Sequence, residues 1–301
     1  MKILLLGRNG QLGWELQRSL APLGQLLALD ARSTTHCGDL HDIGGLGQTL
    51  QRYAPDVIVN AAAYTAVDQA EENVASAYRV NAEAVQVLAR YAAMQGVLLV
   101  HYSTDYVYPG CGTQPWTEGD PVAPLNVYGT SKLAGEDAIR RSGCRHLVLR
   151  TSWVYAARGQ NFVRTILRLA RQRETLSVVD DQFGAPTSAE LLADISALAI
   201  VAVQRDPNLA GLYNVAAAGE TTWFDYARYV LEQAERAGLP LKVNAGSLLA
   251  IQSERYSTPA LRPRNSRLST HKLQSAFAVT LPAWQVGVTR VLTEVLEKEH
   301  E

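Results

Sequence analysis

Ile3-Leu4-Leu5-Leu6-Gly7-Arg8-Asn9-Gly10-Gln11-Leu12-Gly13 is the stretch on which the fold turns. Its apolar start has no polar alternation, the pattern of a strand covered on both faces. Leu12, Leu16 and Leu20 then recur at i, i+4 and i+8, the stripe of an amphipathic helix. Between strand and helix, Gly7 permits a tight turn, Gly10 lets backbone approach a pyrophosphate, and Gly13 lets the helix lie close to the sheet. The helix start offers unpaired N–H groups and the positive end of its dipole to phosphate. A tight turn without a ligand is the plainer alternative. Asp30, at the end of the next apolar run, is placed to hydrogen-bond the ribose hydroxyls of an adenosine dinucleotide. A carboxylate there repels a 2′-phosphate and so favours NADH, whereas Arg8 and Arg32 offer cations that offset it. Both NADH and NADPH therefore stay open.

The same pattern extends outward. Leu26–Leu29, Val57–Val59, Leu98–Val100 and Leu147–Leu149 read as further buried strands. Val85, Leu88, Ala89 and Ala92 mark an intervening helix. Strand–helix alternation predicts a doubly wound parallel sheet of Rossmann type over residues 1–150. Residues 151–301 are less regular and read as a smaller substrate-binding region, with helices over Gln160–Arg173 and Ser188–Gln204. Val288, Val291, Leu292 and Val295 stripe a last helix. A strand at 176–181 is expected to return to the first sheet. Pro109–Pro124 holds four of the twelve prolines and reads as a flap over a site, with a mobile surface excursion as the plainer alternative.

Composition narrows the function classes. The 301 residues carry 28 Lys+Arg against 29 Asp+Glu, a formal net charge of -1, with 47% hydrophobic and 19% charged residues. That supports a packed core rather than disorder. It supplies no basic field for a sequence-independent grip on nucleic acid. No apolar run approaches the roughly 20 residues of a membrane span, and the start lacks a secretory pattern. Cys37, Cys111 and Cys144 are scattered, so neither a zinc site nor a disulfide framework is expected. The cytoplasm is the expected compartment.

The chemistry gathers at two places. The fourth strand runs into His101-Tyr102-Ser103-Thr104-Asp105-Tyr106, and Tyr128-Gly129-Thr130-Ser131-Lys132 follows the flap. Tyr128 and Lys132, at i and i+4, share a helix face. An ammonium beside a phenol lowers the phenol pKa from about 10, which suits proton exchange with a carbonyl or alcohol. Thr104 is placed to polarise the same oxygen. An exposed helical Tyr–Lys pair is the plainer alternative.

Gly7-x-x-Gly10-x-x-Gly13, Asn60-Ala61-Ala62-Ala63, Ser103-Thr104 and Tyr128-x-x-x-Lys132, in that order, resemble the extended short-chain dehydrogenase/reductases. Cys37–Leu40, His101–Val107, Pro124–Gly129, Arg150–Tyr155, Asp181–Thr187 and Arg262–Ser266 extend the resemblance along nearly the whole chain, toward the branch that reduces dTDP-linked 4-keto-6-deoxy sugars. The resemblance implies hydride transfer from NADPH or NADH to C4 of the sugar. Tyr128 would donate the proton, Lys132 would hold the nicotinamide ribose, and Thr104 would bond the reacting oxygen. It implies cofactor contacts at Gly7, Gly10, Gln11, Leu12, Gly13, Asp30, Asp39, Leu40, Ala63, Tyr64, Thr65, Tyr102, Tyr128 and Lys132. It implies substrate contacts at Thr104, Asp105, Tyr106, Trp153 and Arg262, with Arg264 beside the sugar diphosphate. Some relatives hold Mg²⁺ between two copies through glutamates, which would correspond to Glu15, Glu190 and Glu294 and to a homodimer. Solvated helix positions are the plainer reading of those three.

Three other activities compete. Dehydratases of this family carry an Asp-Glu acid/base pair after the Thr. Here the place reads Asp105-Tyr106, so elimination lacks its second carboxylate. Epimerases share Tyr and Lys but retain their cofactor through the cycle. A non-catalytic regulatory subunit, resembling that of methionine adenosyltransferase, is disfavoured by the intact Tyr128, Lys132, Thr104 and Trp153.

Overall fold

The computed structural model describes residues 1–300. Its strands are β1 (Lys2–Leu6), β2 (Gln25–Leu29), β3 (Val57–Asn60), β4 (Leu98–Thr104), β5 (His146–Thr151), β6 (Val154–Tyr155), β7 (Ser177–Val179), β8 (Phe183–Gly184), β9 (Thr187–Ser188), β10 (Gly211–Asn214), β11 (Thr221–Thr222) and β12 (Leu249–Ile251). The helices of the first half are α1 (Gln11–Leu20), α2 (Ile43–Tyr53), α3 (Val67–Ala70), α4 (Val74–Tyr78), α5 (Ala84–Gln95) and α6 (Val127–Ser142). Those of the second half are α7 (Phe162–Gln172), α8 (Ala189–Arg205), α9 (Trp223–Arg236), α10 (His271–Phe277) and α11 (Trp284–His300).

Six strands form one parallel sheet in the order β10-β5-β4-β3-β1-β2. The doubly wound arrangement expected from the first half is therefore present. Alternate β1 residues serve opposite faces. Ile3 and Leu5 join Leu16 and Leu20 of α1 and the inner face of α8. Leu4 and Leu6 join Leu46 and Leu50 of α2 and the apolar stripe of α5. Because both faces are covered, every β3 and β4 residue is buried. The chain steps from β1 outward to β2 and then returns to the other side of β1 with β3. The crevice at this reversal, beyond the strand C-termini, is where such sheets bind ligands.

The second half does not stay apart from this sheet. β10 pairs with β5 as the edge strand, and α8 packs against α1. The expected return of 176–181 to the main sheet is corrected: β7 pairs with β12 instead. β5 already has β10 on its free side, so no open edge is left there for β7. A separate core joins α7, α9 and α11 around Tyr226, Val230, Leu292 and Val295. No described helix is long and apolar enough to cross a membrane.

Candidate active site

The glycine loop is shaped as the spacing predicts. Gly7 has φ +89°, and a Cβ there would lie 2.7 Å from Ala62 N. A Cβ at Gly13 would lie 2.0 Å from Gly7 O, so only glycine lets α1 start this close to β1. Gly10 differs: its Cβ would meet nothing nearer than 3.4 Å, and it caps α1 without a side-chain hydrogen bond. The protein leaves that space and those N–H groups open. This is a cradle suited to a dinucleotide pyrophosphate.

Around the loop, Gln11 Oε1 accepts from Asn161 Nδ2 at 2.9 Å, which ties the cradle to the loop before α7. Asp30 accepts from Arg8 Nε (2.8 Å), Asn9 and the Arg32 backbone N–H (2.8 Å). Burial alone would raise its pKa, but these bonds outweigh it and hold the carboxyl below its ordinary value. Asp39 accepts the His41 N–H at 2.9 Å, and Leu40 is buried. In the Ala63-Tyr64-Thr65 turn, Tyr64 exchanges backbone hydrogen bonds with the Asn81 side chain at 2.9 and 3.1 Å. Asn81 sits on a π-turn, Arg79–Glu83, and also donates to Ser131 Oγ at 3.0 Å. It joins the cofactor side to α6, a role that sequence reading missed. A π-turn leaves no local signal in a helical pattern.

Asn126 caps α6, accepting from Gly129 N at 2.8 Å. Glu71 accepts the Val127 N–H at 2.9 Å, so the turn carrying Tyr128 is fixed at its start. The Tyr128 hydroxyl faces the Thr104 side chain, at the C-terminal end of β4, which favours its ionised form. Burial pushes its pKa up to about 12 against that effect. The expected lowering by Lys132 is therefore corrected. The Lys132 ammonium donates to Tyr102 O (2.6 Å) and His101 Nε2 (3.2 Å) instead. Burial lowers Lys132 to about 8, opposed by the Glu136 carboxylate. The same ring reaches Asn60 Nδ2 through Nδ1 at 3.2 Å, so it bridges Lys132 and Asn60. Burial and the Lys132 charge hold the His101 pKa well down. The sequence places His101 in the strand-end motif, but no local pattern announces its bond to Lys132.

Tyr102 spends its hydroxyl on Ser196 of α8 at 2.6 Å, so its carbonyl is the group that serves the site. Asp105 is buried and accepts from Thr104 Oγ1 at 3.1 Å. Burial raises its pKa to about 7, against hydrogen bonds from Ser266 and Thr104. Asp105 Oδ2, Ser103 Oγ and Thr151 Oγ1 are buried without a partner. Strand register sets Thr104 beside Thr151. The Tyr106 ring meets the Tyr128 ring edge-on at 5.7 Å.

The expected flap is strapped down. Trp116 donates its backbone N–H to Arg267 O, and its carbonyl accepts from Ser269 N. Its ring stacks on Tyr108 at 5.2 Å. Arg262 pairs with Asp68 at 2.6 Å and Arg264 with Glu254, so both expected diphosphate contacts are already engaged. Trp153, just past β5, stacks on Trp223.

Glu15, Glu190 and Glu294 come together from α1, α8 and α11. Burial raises the Glu15 pKa, and the Glu190 and Glu294 charges raise it further. Arg290 reaches Glu190 (2.8 Å) and Glu294 (3.7 Å), and Arg18 reaches Glu15 (3.7 Å). The arginines meet this charge, and no group of three such side chains among the described residues is arranged to hold a metal. One chain therefore does not fit the implied Mg²⁺ by itself.

A family model described as "RmlD substrate binding domain" matches residues 1–297. The chain is 55% identical over 295 residues to dTDP-4-dehydrorhamnose reductase of Escherichia coli (strain K12), covering 98% of both chains. It is 45% identical to the enzyme of that name from Burkholderia thailandensis, covering 99% of this chain and 100% of the other. A crystal structure of dTDP-4-dehydrorhamnose reductase from Bacillus anthracis in complex with NADP superposes with a TM-score of 0.86. Its identity is 33%, over 97% of this chain and 99% of that one. On a cradle for a dinucleotide, a Tyr128–Thr104 pair and a full-length match, the chain belongs to the RmlD substrate-binding-domain family, that of the dTDP-4-dehydrorhamnose reductases.

Proposed function

We propose that the chain reduces the C4 keto group of dTDP-4-dehydro-L-rhamnose to give dTDP-L-rhamnose, an activated sugar for polysaccharide synthesis. The observation that carries this is Tyr128 set beside Thr104 at the end of β4, with Lys132 one turn further along α6, in a chain matched over residues 1–297 by the reductase family. The bound nicotinamide supplies a hydride to C4. Tyr128 supplies the proton to the oxygen, and its raised pKa keeps the phenol protonated at neutral pH, the form reduction needs. Thr104 orients the carbonyl by turning its one hydroxyl proton from Asp105 to the same oxygen. Lys132, fixed by Tyr102 O and His101, holds a buried positive charge beside the place where the alkoxide develops. Gly7, Gly10 and Gly13 cradle the pyrophosphate, and Asp30 with Arg8 meets the adenosine ribose of NADPH or NADH. Asp105, Tyr106 and Trp153 face the sugar. Tyr106 in place of a second carboxylate leaves elimination without a base.

Residues 1–150 hold the cofactor in this reading, and most of 151–301 recognises the sugar nucleotide. The compartment is the cytoplasm, in keeping with three unpaired cysteines. A homodimer would meet across the Glu15/Glu190/Glu294 face, where a second copy could complete a cation site. The hydride chemistry needs no metal, so turnover is expected to persist in EDTA.

The test is turnover of the keto-sugar nucleotide with NADPH and with NADH, followed by absorbance loss. Tyr128→Phe is expected to lower kcat about 10²–10⁴-fold while NADPH still binds by fluorescence titration. A fully active variant contradicts the proton-donor role. Cofactor that co-purifies and is never consumed would indicate an epimerase instead.

A further inference from the structure

The Asp181–Thr187 motif and Trp223 have no place in the chemistry above, yet both converge on Trp153. Trp153 takes φ +48°, a left-handed conformation that costs a non-glycine residue energy. The chain adopts it in the two-residue step from β5 to β6, and the Trp153 carbonyl accepts from Thr187 N at 3.3 Å. This step aims the indole at Gly184. A Cβ on residue 184 would lie 2.7 Å from Trp153 Cε2 and 3.1 Å from Nε1, so glycine alone lets the ring settle there.

The second support comes from register. β8 pairs antiparallel with β11, Phe183 opposite Thr222 and Gly184 opposite Thr221. Trp223 follows directly. Thr222 pins that point, donating to Asp180 Oδ1 at 2.6 Å and capping α9 by accepting from Asp225 N at 3.1 Å. The outcome is a Trp153–Trp223 stack with ring centroids 3.7 Å apart and planes 16° apart. Behind it, Trp223 rests on Phe162 at 4.6 Å, which itself stacks on the buried Tyr226 at 5.0 Å. Trp153 thus keeps a strained backbone, with its ring held by a glycine and a second indole that is anchored in the core.

We infer that Trp223 is a positioning residue for the sugar nucleotide: stacked on Trp153 and aligned by the Gly184 strand pair, it fixes the indole that the sugar meets. This rests on the reading of Trp153 as a sugar contact. A stacked aromatic pair contributes beyond the area it buries, and a side chain held in advance spares the ligand the entropy of ordering it. The ring partners of Trp223 are Trp153, Phe162 and Tyr226, so its effect is expected to fall chiefly on sugar binding.

The test compares Trp223→Leu, which fills space without a ring, with Trp223→Phe, which keeps a ring to stack. Trp223→Leu is expected to raise the KM for the keto-sugar nucleotide about 5-fold, with the KM for NADPH and kcat changed less than about 2-fold. Trp223→Phe is expected to restore most of it. A merely structural role would lower Tm in both and move neither KM. An unchanged sugar KM in Trp223→Leu overturns the proposal if Trp153→Leu still raises it. If Trp153→Leu is silent too, the reading of Trp153 falls with it. Should Trp223→Leu fail to fold, circular dichroism decides. The stacked indoles of the wild type are expected to give a split band that Trp223→Phe removes and that saturating dTDP-L-rhamnose shifts. A band that the ligand leaves untouched overturns the proposal.

Discussion

At the scale of single residues, the site is governed by burial more than by neighbouring charge. Spacing put Tyr128 and Lys132 on one helix face, and they are there. The expected mutual tuning is absent because Lys132 finds stronger acceptors in Tyr102 O and His101. No periodicity announces that a strand carbonyl will capture an ammonium. Asp105 shows the same dominance. Its carboxyl titrates near 7 when folded against an ordinary 3.8. Between those values the folded state holds a proton that the unfolded chain has lost, so this group's contribution to stability falls as pH rises and stays low above about 7. Asp105→Asn removes the fall. The variant is expected to gain more over wild type at pH 8.5 than at pH 5, by about 2–4 °C in Tm. Parallel melts at the two pH values check this; equal differences would contradict it.

At the scale of elements, α6 is the part whose position matters most, because Tyr128 and Lys132 ride on it. It is held to β5 by Arg150, which bonds Glu136 through Nε (2.9 Å) and Nη2 (2.5 Å) and Tyr108 through Nη1 (2.8 Å). Both charges are almost wholly buried, at 4% and 10% side-chain exposure. Removing one partner strands the other, so Glu136→Ala is expected to cost about 3–5 kcal/mol, read from urea denaturation. Helix α1 makes a sharper case. Gly13→Ala would drive a Cβ into Gly7 O. The helix must then shift from β1, and NADPH affinity is expected to fall at least about 10-fold in a fluorescence titration, with the fold retained by circular dichroism. Both glycine positions were legible in the sequence, since their spacing follows from chain geometry. The Arg150–Glu136 bond was not, because it joins a helix to a strand through side chains of no local pattern.

For the whole molecule, packing crosses the boundary near residue 150 that the sequence pattern suggests. β10 and α8 come from the second half, yet they complete the sheet edge and cover Ile3, Leu5, Val59 and Val100. A fragment of residues 1–150 is therefore expected to leave that face bare, to bind 1-anilinonaphthalene-8-sulfonate strongly and to melt without a cooperative transition. A sharp melt with no dye binding would show that the first half folds alone. The net charge of -1 takes on meaning at this scale too. A near-neutral chain that binds two diphosphate-bearing molecules must do so through local devices such as the open N-terminus of α1, Arg8 and Lys132.

The sequence by itself determined the parallel sheet, the glycine cradle and the Tyr128–Lys132 helix face. These follow from periodicity and short-range geometry, which are properties of neighbouring residues. Tertiary structure alone decided which partner each polar group takes. It gave Lys132 to a strand carbonyl, Arg262 to Asp68 and Arg264 to Glu254, tied the cofactor loop to α6 through Asn81, and joined β7 to β12. It also brought Trp223 onto Trp153 across 70 residues of chain. Such choices depend on distances between elements far apart in sequence and on how completely each group loses water. No local pattern encodes either.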